Sequence, residues 1–159
     1  MSNGQVRLQR IYLKDASFES PRSPSVFLEA WKPELQVDIN TRAEAIGDDL
    51  FEVILTVTVR AKLERGKTAF IVEVEQAGIF QVEGVEPTLI KRILATICPN
   101  TIFPYVRETI DSICVRGGFP AIQLAPVNFD ALFEDAVKNK NSENAENGDS
   151  QASDSLIKH

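Results

Sequence analysis

One segment constrains this chain more than any other. From residue 51 to 62 apolar and polar side chains alternate. Phe51, Val53, Leu55, Val57 and Val59 fall on one parity; Glu52, Thr56, Thr58 and Arg60 fall on the other, with Ile54 the exception. Successive side chains of a strand point to opposite faces, so this pattern predicts a half-buried strand. Glu64, Arg65, Gly66 and Lys67 then form a loop in which Gly66 is free to take a positive φ. The alternation resumes over residues 68–76, with Phe70, Val72 and Val74 on the core face and Ala69, Ile71, Glu73 and Glu75 on the other. Strand, short loop and strand predict an antiparallel hairpin.

The flanking segments extend this plan. Residues 6–13 predict a first strand. Residues 17–25 are a break, because Pro21 and Pro24 each favour extended backbone before them. Residues 26–33 are irregular and carry the only tryptophan, Trp31. Residues 34–40 alternate again, Leu35, Val37 and Ile39 against Glu34, Gln36 and Asp38, and residues 41–49 read as a polar connection.

After Gly84 the period changes from about 2 to about 3.6. Pro87 suits the first turn of a helix over residues 88–97, which Cys98-Pro99-Asn100 interrupts. A longer helix follows over residues 102–116, with Pro104 in its first turn and Gly117-Gly118 as its stop. Its stripe is Phe103, Val106, Ile110, Ile113 and Cys114, and Tyr105, Thr109 and Ser112 add weakly polar surface beside it. Its strongly charged face is small, mainly Arg107, Glu108 and Asp111, so this helix is expected to pack on two sides. Residues 119–127 are extended. Asn128 is the expected N-cap of a last helix to residue 140, with Phe129, Leu132, Phe133, Ala136 and Val137 on one face. Residues 141–159 are rich in Asn, Ser and Glu, which predicts a disordered polar tail after a folded domain of residues 1–140. Strands first and helices after argue for an α+β fold with a meander sheet.

Composition narrows the chemistry. A chain of 159 residues suits one domain, and its net charge of -6 disfavours nucleic acid and anionic membranes while suiting basic polypeptide segments. Residues 1–10 hold no apolar signal-peptide core, and no run approaches the roughly 18–20 apolar residues that span a bilayer. Cys98 and Cys114 form no CxxC pair, which points to a reduced cytosolic protein with buried thiols. The only histidine is His159, the last residue, so triads, histidine acid–base pairs and histidine metal sites are not expected. Gly66-Lys67-Thr68 resembles the end of a phosphate loop, yet the position that needs the first glycine is Ala61, inside a strand. Glu73 and Glu75 read as a solvated strand face rather than as paired catalytic acids. No enzyme chemistry, cofactor or metal is therefore expected. The bulky residues Trp31, Phe103, Tyr105, Phe129 and Phe133 can line a groove for other chains, or simply fill the core.

Three stretches together resemble the SecB family of bacterial protein-export chaperones. The first is Tyr12-Leu13-Lys14-Asp15-Ala16-Ser17-Phe18-Glu19, followed by Pro21, Pro24, Phe27, Trp31 and Pro33. The second is Ala69-Phe70, Glu73, Gln76 and Gly78-Ile79-Phe80. The third runs through Cys98-Pro99-Asn100, Phe103-Pro104-Tyr105, Arg107-Glu108, Arg116-Gly117, Phe119-Pro120 and Leu124-Ala125-Pro126-Val127-Asn128-Phe129.

The resemblance implies a four-stranded antiparallel sheet with helices on one side, assembled as a homotetrameric dimer of dimers in the cytoplasm. It implies an ATP-independent holdase that keeps precursor polypeptides unfolded and delivers them to the SecA motor. Asp15, Glu19, Ile71 and Glu73 match the family's contact with the basic zinc-binding tail of SecA, the zinc being the partner's. Trp31, Phe103, Tyr105, Phe129, Leu132 and Phe133 match its client groove. A SecB-like chaperone dedicated to one client, such as a toxin–antitoxin pair, is the nearest alternative. A small enzyme and a passive scaffold are the others.

Overall fold

The computed structural model describes residues 4–157, and the side chains of residues 4–145. His159 lies outside the described residues. The chain divides between Val127 and Asn128 into a sheet-and-helix unit and a helical unit.

The first unit holds β1 (Gln5–Glu19), β2 (Glu34–Gly47), β3 (Leu50–Lys62), β4 (Thr68–Glu83), α1 (Pro87–Ala95) and α2 (Ile97–Arg116). The sheet is four-stranded and antiparallel, in the order β1-β4-β3-β2. β2, β3 and β4 form the expected meander. β1 joins the free side of β4 after a long connection through a 3-10 turn at Ser25–Leu28, which makes the whole a Greek-key arrangement.

The strands outrun their sequence patterns for identifiable reasons. β1 continues to Glu19 because β-bulges interrupt its pairing between Leu8 and Arg10 and again between Leu13 and Asp15. Each bulge inserts one residue and flips the parity. Val6 and Leu8, Ile11 and Leu13, and Ala16 and Phe18 therefore all stay on the core side. β2 continues to Gly47 through residues too polar or small to show a pattern, because most of this edge strand is exposed. β4 continues past Gln76 through Ala77 and Gly78, and the Phe80 ring packs over Gly78.

The core lies between the sheet and α2. Val53, Leu55, Val57, Val59, Val72 and Val74 are fully buried on one sheet face. Cys98, Ile102, Val106, Ile110 and Cys114 recur every fourth residue on α2 and are likewise buried. The fourth-residue period puts them on one helix face. α2 starts at Ile97, earlier than expected, so Pro99 stands in its first turn and Thr96 alone separates it from α1. Pro99 needs no intrahelical partner there. Pro104 consequently falls inside the helix. Away from that face of α2, Tyr105 and Val115 are exposed.

In the second unit α3 spans Phe129–Ile157. The Asn128 side chain accepts a hydrogen bond from the Ala131 amide at 3.0 Å, the expected N-cap. The composition boundary near residue 140 leaves no break in the helix backbone, although the apolar face of Phe129, Leu132, Phe133, Ala136 and Val137 gives way to a mostly polar run after it. Among the described residues no helix is long and apolar enough to cross a membrane.

Candidate functional site

The two faces of the sheet differ in chemistry. On the outer face, ladder pairing brings the acidic residues together. Glu19 stands opposite Ile71, Ser17 opposite Glu73, and Asp15 opposite Glu75. Directly paired residues share a face, so Asp15, Glu19, Ile71 and Glu73 form one patch across β1 and β4. Glu75 belongs to it as well. Among the described residues no ion pair engages Asp15, Glu19 or Glu73, and Arg42 reaches Glu75 only at 3.9 Å. Such loose surface contacts neutralise little. The patch therefore presents carboxylates outside any close ion pair beside one half-buried isoleucine, with Arg60 of β3 on the isoleucine's other side.

Further along this face, the Tyr12 hydroxyl donates to the Glu52 carboxylate, and Lys14 Nζ donates to both carboxylate oxygens at 3.0 and 3.1 Å. These hydrogen bonds, Tyr12 foremost, hold the Glu52 carboxyl below the usual range. Burial, reinforced by Glu52, pushes the Tyr12 hydroxyl up to about 12.

The other surface is aromatic and starts at the end of α2. The Gly118 amide donates to the Val115 carbonyl at 3.0 Å, and the Phe119 amide donates to the Cys114 carbonyl at 2.9 Å. Gly118 has φ +92, the left-handed residue that this Schellman closure requires. The closure turns Phe119 into a cluster of rings. Its centroid lies 4.9 Å from Phe70, 5.2 Å from Trp31, 5.2 Å from Phe27 and 6.3 Å from Phe18. These spacings suit tilted and offset ring contacts. Gly117 backs directly onto the Phe18 ring, where a side chain would collide. Beyond Phe119, Asp111 Oδ1 accepts from the amides of Ile122 and Gln123 at 3.0 Å each, fixing the exit strap to α2.

The cluster is open to water on one side. Phe70 and Phe119 are buried and Trp31 is half-buried, but Phe27 is 49% and Leu28 91% exposed. Of the expected groove residues, Trp31 joins this cluster. Phe103 is buried on α2 with the Arg107 guanidinium 5.8 Å from its ring centroid, and Tyr105 is exposed on the same helix. Phe129, Leu132 and Phe133 share one face of α3, with Phe129 buried and Leu132 exposed. Phe18, Phe27, Phe70 and Phe119 were not singled out as site residues by sequence. They come from separated segments, so no periodicity links them.

Cys98 and Cys114 are buried free thiols, both pushed up to about 12, chiefly by burial. A thiol so raised is not a nucleophile at neutral pH.

Comparison with known proteins agrees with this layout. The model of the family described as preprotein translocase subunit SecB matches residues 1–140. Proteins named protein-export protein SecB are similar over most of the chain. That of Hahella chejuensis is 52% identical over 138 residues, covering 87% of this chain and 86% of its own length. That of Pseudomonas paraeruginosa is 50% identical over 133 residues, covering 84% and 82%. Among solved structures, a SecB-like chaperone of Mycobacterium tuberculosis, in complex with a ChAD peptide from the HigA1 antitoxin, shares the fold with a TM-score of 0.66. It is 16% identical and covers 77% of this chain and 91% of that one. The chain belongs to the SecB family of protein-export chaperones.

Proposed function

We propose that this chain is an ATP-independent cytoplasmic holdase, working by binding rather than catalysis, which keeps precursor polypeptides unfolded and hands them to SecA. The observation that carries the reading is the ring cluster around Phe119, buried at Phe70 and Phe119 and exposed at Phe27. An unfolded polypeptide exposes apolar side chains that a folded one hides, so an open aromatic surface selects the non-native state without reading a defined sequence. Of the other expected groove residues, Tyr105 of the first unit and Leu132 of α3 are exposed and offer further apolar surface to a client, whereas Phe103 and Phe129 are buried. Several weak contacts along one client add by multivalency.

The acidic patch of Asp15, Glu19, Ile71 and Glu73 suits the basic tail of SecA. Opposite charge accelerates encounter, and Ile71 offers a small apolar contact. A homotetramer would cover the unpaired outer edge of β1 and the exposed apolar face of α2. Residues 1–140 form the working domain, with the remaining segment a polar appendage.

Export is favoured over a dedicated antitoxin client. The relatives at about half identity carry the export name, and the antitoxin complex shares only the fold. The test is refolding of a denatured precursor without nucleotide. The chain should slow refolding and run as a tetramer by light scattering. A stable monomer without effect on refolding would overturn the reading.

A further inference from the structure

We propose that Glu52 is a positioning residue for SecA docking, which acts by holding the Lys14 ammonium away from the carboxylates that receive the basic tail. This rests on the reading of the outer sheet face as the SecA contact. Lys14 is the residue that the second β-bulge inserts into β1. Leu13 pairs with Gln76 and Asp15 with Glu75, so Lys14 has no ladder partner of its own. Lys14 bonds Glu52 while Asp15 stands opposite Glu75, so two successive residues turn toward one face. Regular alternation forbids this and a bulge permits it. A cation therefore sits at the border of the acidic patch. Directly opposite and diagonal neighbours in a ladder lie roughly 5–8 Å apart, within reach of a long side chain. Lys14 has the length to reach Asp15 and Glu75.

It is drawn the other way. Lys14 Nζ donates to both oxygens of Glu52, at 3.0 and 3.1 Å. It reaches over β4 to do so, since Glu52 lies on β3 opposite Ile79. A whole rung separates Glu52 from the acidic patch. In it Tyr12 pairs with Ala77, Ala77 with Ile54, and Ile54 with Arg42. Ala77 and Ile54 are buried although pairing places them on the outer face.

Two observations make Glu52 the stronger acceptor. Its side chain is 13% exposed, against 39% for Lys14, so water competes less for this pair than on open surface. The Tyr12 hydroxyl donates to the same carboxylate and orients it. With Lys14 held there, Asp15, Glu19 and Glu73 have no ion pair among the described residues, and Arg42 approaches Glu75 only at 3.9 Å. Released from Glu52, the same lysine would compete with the SecA tail from within the chain.

The test is a double-mutant cycle on SecA affinity, with Glu52→Gln, Lys14→Met and the pair, titrated calorimetrically against SecA. Glu52→Gln should weaken binding about 3- to 5-fold at low salt, and the loss should shrink as salt rises. Lys14→Met should change affinity by less than about 2-fold, because its charge is already engaged. The double variant should match Lys14→Met, because Glu52 acts only through the lysine. Holding of a denatured client should be unchanged in all three. An equal loss from Glu52→Gln with and without Lys14 would make Glu52 an ordinary acid of the docking face and overturn the inference. So would unchanged affinity in Glu52→Gln, or a parallel loss of client holding, which would assign Glu52 a purely structural role. Glu73→Lys, titrated alongside, separates the two levels. If it too leaves SecA affinity unchanged, the docking reading fails and takes the inference with it.

Discussion

Glu19 and Ile71 stand directly opposite each other on β1 and β4, and Arg60 of β3 flanks Ile71 on its other side. The isoleucine thus sits between an acid and a base on an otherwise polar face. Ser17 and Glu73 form the next rung, and Thr58 continues it. A basic, partly apolar tail laid across β1 and β4 would meet carboxylates and the isoleucine together.

Reversing Glu73 to lysine should therefore weaken SecA binding by about 5- to 10-fold at low salt, since exposed pairs contribute roughly 0.2–1 kcal/mol each and reversal adds repulsion. The effect should shrink at about 0.5 M salt, where screening is short-ranged. Client holding should be unchanged. Calorimetric titration of SecA at two salt concentrations, beside a refolding assay, checks both halves. Ile71→Ala should weaken the complex with little salt dependence, which separates contact from charge.

The ring cluster predicts a division between stability and binding. Phe119 is buried against four other rings, so Phe119→Ala should cost about 3–5 kcal/mol of stability. Phe27 is half exposed, so Phe27→Ala should cost less than about 1.5 kcal/mol, with faster client release. Urea melts and client dissociation rates, measured on both variants, test the ordering. Equal stability losses would contradict the burial difference.

How much of this was legible beforehand follows from what each residue faces. The alternation over residues 51–62 matches β3 to within one residue, because its core-facing positions are apolar almost without exception. The alternation of the first strand stops at Leu13, because the bulge beside Lys14 breaks it while the pairing continues to Glu19. The break expected between α1 and α2 fell at Cys98-Pro99-Asn100, but proline is tolerated in a first turn and the hinge is Thr96. The shared face of Ile71 and Glu73 followed from strand parity alone. The partnership of Asp15 and Glu19 with them needed the β1–β4 register, which no local pattern carries. The rings of Phe18, Trp31, Phe70 and Phe119 meet only through tertiary closure.

Burial of the two thiols predicts their reactivity. Cys98 and Cys114 are buried and raised to about 12, so little thiolate exists at pH 8. Native protein should resist alkylation by iodoacetamide at that pH for hours, while protein in denaturant should take two labels within minutes. Mass spectrometry of the two samples decides. Prompt labelling of the native chain would show that the α2 core opens readily.

The Tyr12–Glu52–Lys14 cluster gives stability a pH dependence at both ends. Glu52 is held below its unfolded value, so its contribution is present above about pH 4.3 and is lost as pH falls through the folded value. Tyr12 is raised to about 12, so the folded state holds its proton longer than the unfolded chain. Its contribution is full below about pH 10 and is lost as pH rises toward the folded value. Tyr12→Phe should flatten the melting temperature across the alkaline window, and Glu52→Gln should flatten it across the acid one. Tyr12→Phe loses the hydrogen bond between the two side chains, and Glu52→Gln leaves it without its charge, so both should also melt lower near neutrality. A Tyr12→Phe protein with an undiminished alkaline decline would assign that decline to other groups and remove Tyr12 from the account.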